Sequence, residues 1–313
     1  MDLILMDEKD QAKVDDQYRQ MYESLLAEFG AEFGVVLPSE VKKQFQEGVP
    51  AGIYTFDREL NPIRRDNQGL ESKLFLARSF TDVHGTLPHG DDLEKVMDYL
   101  EDQSSRGIIK RLVNSKKGTL NQKDKLFDTE VSELGIDTPE AHYFQDYNSF
   151  REFVSNSNTE YLLKHRFGSD GFNIYPVNKS ELQKYSQLDF NEYILQERLD
   201  IKDETRLIFL DGEYLGARKI TDRTMPWENV GTRKHITEEY IPPKDEVDES
   251  RKILEYGDIS LGCVDWVHAG PKDKRFYLEV NGVATGLGEK GYTYNLNPIV
   301  ANRLRGAVYA NEK

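Results

Sequence analysis

Short, wholly apolar runs alternate with amphipathic stretches along the first third of the chain. LILM (3–6) is an apolar tetrad, and DDQYRQMYESLLAEFG (15–30) sets Tyr18, Met21, Leu25 and Phe29 near helical spacing, with Gly30 as a stop. FGVVLPS (33–39) reads as a strand ended by Pro38. LFLARSF (74–80) and IIKRLVN (108–114) predict further strands, and DDLEKVMDYLEDQ (91–103) predicts a helix between them. Strand–helix alternation of this kind argues for a small parallel α/β layer over about the first 115 residues.

The pattern then changes. A turn-rich stretch, NSKKGTLNQKDK (114–125), leads into a predicted helix, KLFDTEVSELG (125–135), closed by Gly135. IDTPEAHYF (136–144) reads as extended, SFREFVSN (149–156) as a helix, and TEYLLKHRFGSDGFNIYPV (159–177) as strand, glycine turn, strand. From Tyr193 strands dominate: YILQERL (193–199), TRLIFLDGEYLGARKI (205–220), CVDWVHA (263–269) and RFYLEVN (275–281). Asp211-Gly212 between two apolar runs is a strong hairpin signal. Lys244 to Gly257 and NPIVANRLRGAVYANE (297–312) predict two late helices. The fold class is α+β, with an α/β open-sheet unit in front.

Composition narrows the function. A chain of 313 residues is long enough for two or three domains, and a mean hydropathy of −0.68 gives a well-solvated surface around an aromatic-rich core. No apolar run approaches the 18–20 or so residues of a membrane span, and MDLILMDEKD, with no basic leader, reads as a first strand and not a signal peptide. The single cysteine, Cys263, excludes an internal disulfide framework and suits a reducing cytoplasm. With 41 basic against 56 acidic residues the net charge is −15, so an extended nucleic-acid partner is not expected. A local basic groove for a small phosphate ligand is compatible with that charge.

Two constellations carry chemistry. Lys164 ends an apolar strand, and Gly168-Ser169-Asp170-Gly171 follows before another strand. Small residues in such a hairpin free backbone N–H groups to fold over phosphates while the lysine holds their charge; an ordinary turn is the other reading. Asp265 and Glu279 lie in neighbouring apolar strands, and Asn281, two after Glu279, shares its face. Two carboxylates and an amide oxygen are hard ligands suited to magnesium bound together with nucleotide phosphates. The competing reading is an ion-pair network of these acids with Arg206 and Arg218. Cys263, inside LGCVDWV, reads as a small buried residue, and Trp227 and Trp266 as apolar bulk, although Trp227 could also cover a substrate. His84 and His89 bracket a loop too poor in further ligands for a metal site. His165 belongs to the face opposite Lys164. No Ser-His-Asp or Cys-His nucleophile signature stands out.

The order of these features along the chain is more specific than any one of them. Lys125 before a helix, a strand lysine with a glycine hairpin, LQERL, Glu204-Thr205-Arg206, a hairpin returning through Arg218, Asp265 and finally LEVNGVATGL follow in turn. The succession resembles the ATP-grasp superfamily of carboxylate–amine ligases, in the branch of bacterial glutathione synthetases and ribosomal-protein glutamate ligases. It runs from about Asn114 to Leu287.

The resemblance implies two α+β subdomains, 116–192 and 193–313, clasping ATP behind an N-terminal domain, 1–115. Lys125 and Lys164 would hold ATP phosphates, and Gly168 to Gly171, with Ser169, would cover them. Gln196, Glu197 and Leu199 would line the adenine slot, largely through backbone groups, and Glu204 would bind the ribose. Arg206 and Arg218 would face the phosphates and the developing acyl phosphate. Asp265, Glu279 and Asn281 would hold two magnesium ions, with manganese as a substitute. The implied reaction activates a carboxylate as an acyl phosphate and couples it to an amine, of a small molecule or a peptide. The alternatives are a small-molecule kinase on the same fold and a non-catalytic ATP-binding regulator. Relatives of this kind are often homodimers or homotetramers. Three departures stand out: Gly282-Val283-Ala284 replaces a common Pro-Gly pair, 222–236 fits the family's Asn/Arg loop only loosely at Asn229 and Arg233, and GEKGYTY (288–294) has no counterpart.

Overall fold

The computed structural model describes residues 1–7, 16–77, 90–168, 173–221, 236–271, 273–282 and 296–309. The N-terminal layer comprises β1 (Leu3–Met6), α1 (Asp16–Phe29), β2 (Phe33–Val36), α2 (Pro38–Glu47), β3 (Ile53–Phe56), β4 (Pro62–Arg65), β5 (Leu74–Ala77), α3 (Gly90–Ser105) and β6 (Leu112–Val113). Its sheet has the order β4-β3-β2-β1-β5-β6. Strands β1, β2, β5 and β6 are parallel, while β3 and β4 fold back antiparallel at one edge. LILM is buried at every position because helices cover both faces of the sheet, as a central parallel strand requires. In α3 the buried residues Leu93, Met97 and Leu100 follow the helical stripe.

Two predicted boundaries shift. The strand expected over 33–39 stops at Val36, and Pro38 starts α2 as its first-turn residue instead of ending the strand. A proline is welcome there because that N–H has no partner within the helix. The turn-rich stretch 114–125 contains a helix, α4 (Lys116–Asn121), capped by Ser115, whose Oγ accepts the Gly118 N–H at 3.0 Å.

The central layer contains α5 (Leu126–Glu130), a 3-10 turn to Leu134, β7 (Ala141–Tyr143), α6 (Tyr147–Asn156), β8 (Tyr161–His165), β9 (Ile174–Pro176) and β10 (Tyr193–Glu197). The predicted helix 125–135 therefore tightens into 3-10 geometry and ends at Gly135, whose φ of 75° is the left-handed cap that glycine adopts without cost. The sheet order is β7-β10-β8-β9. Tyr193–Glu197, grouped with the C-terminal subdomain by sequence, thus pairs with β7 and β8 in the central sheet. Phe150 and Val154 of α6 pack on Tyr161, Leu163, Tyr193 and Leu195.

The last layer holds β11 (Ile201–Leu210), β12 (Glu213–Thr221), β13 (Ile236–Glu239), α7 (Lys244–Tyr256), β14 (Leu261–Ala269) and β15 (Lys274–Asn281), with α8 (Asn297–Tyr309) closing the chain. Its antiparallel sheet runs β13-β12-β11-β14-β15. Asp211 and Gly212 turn the β11–β12 hairpin with φ of 52° and 73°, the paired positive values of a tight hairpin turn. Helix α7 covers one face over Leu207, Val264, Trp266 and Tyr277. The other face meets the N-terminal layer in a shared core: Ile208, Leu210, Leu261 and Cys263 pack with Leu3, Leu25, Leu74, Val300 and Leu304. Among the described residues no helix is long and apolar enough to cross a membrane.

Candidate active site

Strand register assembles the first half of the site. Arg218 on β12 stands opposite Arg206 on β11, Arg206 opposite Asp265 on β14, and Asp265 opposite Glu279 on β15. Alternation puts Glu204 and Ile208 on the same face as Arg206, and the Cys263–Asn281 pair beside Asp265 and Glu279. That face is thus divided. Its apolar half belongs to the core shared with the N-terminal layer, and the charged row crosses the sheet next to it. A bulge between Asp265 and Trp266 inserts Leu278, so Trp266 and Tyr277 turn together into the core under α7.

Within the row the side chains are joined. Arg206 grips Asp265 with two nitrogens, Nε to Oδ1 at 2.6 Å and Nη2 to Oδ2 at 2.5 Å, and reaches Glu204 Oε1 at 3.4 Å. Asn281 Nδ2 donates to Asp265 Oδ2 at 2.8 Å and to Glu279 Oε1 at 3.0 Å. Arg218, Arg206, Glu204 and Asp265 are all buried. Burial pushes the Asp265 carboxyl above the usual carboxylate range, against the pull of Arg206. Glu279 is half-buried, and burial raises its carboxyl, but the positive charges of Lys125, Lys164 and Arg206 together with the Asn281 bond bring it down to about 2.

Those lysines come from the central layer. Lys164, buried on β8, donates Nζ to Gln196 Oε1 on β10. The Gln196 side chain is therefore engaged, beyond the backbone role expected of it. Lys125, at the entrance to α5, donates Nζ to the Gly168 carbonyl and its backbone N–H to the Arg166 carbonyl at 3.0 Å. Glu197 is tied to the sheet edge: its N–H donates to the Glu140 carbonyl at 2.7 Å, and its Oε2 accepts the Glu140 N–H at 3.3 Å. Leu199, half-buried, lies past the end of β10 in the link to β11. Ser169 and Gly171 lie outside the described residues, as do Asp170, His84, His89, Trp227, Asn229, Arg233 and 283–295.

The donor set bears on the expected metal. Among the described residues no three His, Cys, Asp or Glu side chains form a cage by themselves. A row of two carboxylates and an amide is instead what magnesium needs when phosphates and water supply its other ligands. The ion-pair alternative is present in the same row, since Asp265 carries the Arg206 fork while Glu279 keeps the more open position.

Four nearby side chains escaped the sequence reading. Asp128, one helical turn after Lys125, accepts the Tyr277 hydroxyl and the Val280 N–H (3.4 Å), tying α5 to β15. Burial, countered by the Tyr277 bond and reinforced by the Glu279 charge, raises its carboxyl to about 7. The shared face of Asp128 and Lys125 was a legible signal; Tyr277 was not, because only the bulge turns it away from Glu279. Asp124 and Arg166 form an ion pair between the two lysine-bearing segments. His165 is partly buried with its ring edge against Tyr193 at 5.2 Å, on the face opposite Lys164 as expected. Cys263 is buried, and burial pushes its thiol up to about 11, which suits a packing residue.

No protein-family model matches the chain, and neither does any curated protein. Solved structures do. The chain is similar to the ATP-grasp ligase PsnB in complex with a minimal precursor, at 16% identity and a TM-score of 0.66, over 97% of this chain and 98% of that one. It is similar to the D-cycloserine synthetase DcsG at 16% identity and a TM-score of 0.65, over 97% and 100% of the two chains. The macrocyclase MdnC bound to the precursor peptide MdnA, from Microcystis aeruginosa MRC, matches at 15% identity and 0.63, over 98% and 100%. Coverage near the full length of both partners means that all three layers share one arrangement with these proteins.

Proposed function

We propose, from the ATP-grasp fold that this chain has, that it is an ATP- and magnesium-dependent ligase joining a carboxylate to an amine. The observation that carries this is the charged row Arg218–Arg206–Asp265–Glu279, with the charges of Lys125 and Lys164 from the central layer acting on Glu279. Cations and hard oxygen ligands set face to face suit a polyphosphate better than they suit a purely structural network. PsnB was also solved with Mg and ADP, which supports the same nucleotide here.

In this reading Lys125 and Lys164 bind ATP phosphates, the Gln196–Leu199 segment borders the adenine, and Glu204 takes the ribose. Glu279, Asp265 and Asn281 would hold magnesium, which supplies charge neutralisation at the transferring phosphoryl group. The substrate carboxylate attacks the γ-phosphorus, giving an acyl phosphate and ADP. Arg206 and Arg218 stabilise the charge that develops, and the protein otherwise positions and shields its reactants. An amine then displaces phosphate at the acyl carbon, leaving an amide. The substrates are a small-molecule or peptide carboxylate and amine, in a cytoplasmic setting. The division of the chain into 1–115, 116–192 and 193–313, with β10 pairing in the central sheet, belongs to the same proposal.

The test is purified protein with ATP, magnesium and a panel of amino acids, small carboxylates and peptides. Amine-dependent ADP release with a product mass equal to the two substrates less one water supports the ligase. A stable phosphorylated product formed without amine replaces it with a kinase. Nucleotide binding without turnover on any substrate replaces it with a regulator.

A further inference from the structure

Arg166 follows Lys164 by two residues, just beyond the end of β8, and Asp124 directly precedes Lys125. Their side chains meet as a fork: Arg166 Nε donates to Asp124 Oδ1 at 2.9 Å, and Nη2 donates to Oδ2. The third guanidinium nitrogen, Nη1, donates to the Asn191 carbonyl at 2.8 Å. The guanidinium also lies over the Phe167 ring at 5.1 Å and the Tyr143 ring at 5.6 Å, and the Tyr143 hydroxyl donates to Asn191 Oδ1 at 3.0 Å. The same carboxylate accepts the Leu126 N–H at 3.0 Å, which fixes the entrance of α5. Backbone bonds run in parallel, from the Lys125 N–H to the Arg166 carbonyl at 3.0 Å and from the Arg166 N–H to the Glu192 carbonyl at 2.8 Å.

Two lysines far apart in sequence thus sit on segments stapled to each other. We infer that the Asp124–Arg166 pair is a positioning device that holds Lys125 and Lys164 in one fixed spacing for the nucleotide phosphates. The inference rests on the nucleotide reading above. The Arg166 and Asp124 side chains are only 18% and 23% exposed, so the pair is less screened than a surface ion pair, and its planar two-point geometry fixes direction as well as distance. A lysine in place of Arg166 would keep the charge and lose the fork. Neither residue has to touch the nucleotide, because the pair acts through the backbone on which the lysines are mounted.

A double-mutant cycle tests this, with Mg-ADP affinity measured by calorimetry and stability by urea unfolding on the same full-length variants. Asp124→Asn and Arg166→Gln should each weaken Mg-ADP binding about tenfold or more while the protein remains folded, since small misplacements of a positioned group carry large penalties. The double variant should bind no worse than the weaker single one, because the interaction is already gone. If Asp124→Asn unfolds, Arg166→Lys carries the test, with the same loss of affinity expected. Variants that lose stability yet bind Mg-ADP like the parent, or losses that simply add, overturn the inference and leave the nucleotide reading standing. A parent protein that binds no nucleotide overturns both.

Discussion

A carboxylate set among positive charges stays ionised at neutral pH, and Glu279, brought down to about 2 by Lys125, Lys164, the Asn281 bond and Arg206 against the effect of burial, is in that position. Its folded value lies below the usual glutamate value of about 4.3, so it contributes stability that is present above that pH and lost as pH falls toward 2. Glu279→Gln keeps the shape and removes the charge. It should cut magnesium-dependent ADP release by about a hundredfold or more, with circular dichroism unchanged. Turnover equal to the parent protein would remove Glu279 from the site. Cys263 behaves in the opposite way. With its thiol buried and pushed up to about 11, it should resist a disulfide reagent at pH 8 until urea unfolds the chain. A thiol that reacts at once in the native protein would contradict that burial.

At the scale of elements, the helices and strands readable in advance were those whose apolar period is carried by their own residues. Leu93, Met97 and Leu100 identify α3, and Phe150 with Val154 identifies α6. Those that escaped depend on neighbours. α4 hides in a polar, turn-like stretch because its closest contact is made by a glycine: a Cβ on Gly118 would stand 2.1 Å from the Asp258 carbonyl oxygen. Backbone meets backbone there, so Gly118→Ala must separate α4 from the turn after α7. The cost should be about 1–3 kcal/mol, read as a lower urea midpoint with an unchanged slope. Ser115, which caps α4, also donates to Asp258, so the same turn is held at two points. An alanine variant as stable as its parent would mean that the two segments do not touch so closely.

For the whole molecule, the two ends of the chain are joined. Val300, Leu304 and Val308 on α8 pack into the core that holds Leu3, Met21, Leu25 and Phe33, and Tyr309 donates its hydroxyl to Asp2. Leu304 is fully buried, so Leu304→Ala should cost about 2–5 kcal/mol by denaturant unfolding. A single transition lost earlier in urea is the expected form, because this core also includes Ile208 and Cys263 from the five-stranded sheet. A variant in which only the N-terminal layer melts would show that the layers unfold separately. The net charge of −15 changes meaning at this scale too. Most of the acid is spread over the surface, while the bases Arg206, Arg218, Lys125 and Lys164 are gathered from three strands and one helix entrance into a single local field.

What the sequence determined by itself was the inventory and its order: the strand lysine, the Glu-x-Arg strand, the late acids with their amide, and the alternation that places Glu279 with Asn281. These follow from local spacing, which backbone geometry converts directly into faces. What only the tertiary structure decided was who meets whom. The Arg218–Arg206–Asp265–Glu279 row depends on the register of four strands. The turning of Tyr277 toward Asp128 depends on one bulged residue, and the Asp124–Arg166 staple joins segments 42 residues apart. Register, bulges and long-range pairs are selected by the packing of the entire core, and no window of sequence contains that sum.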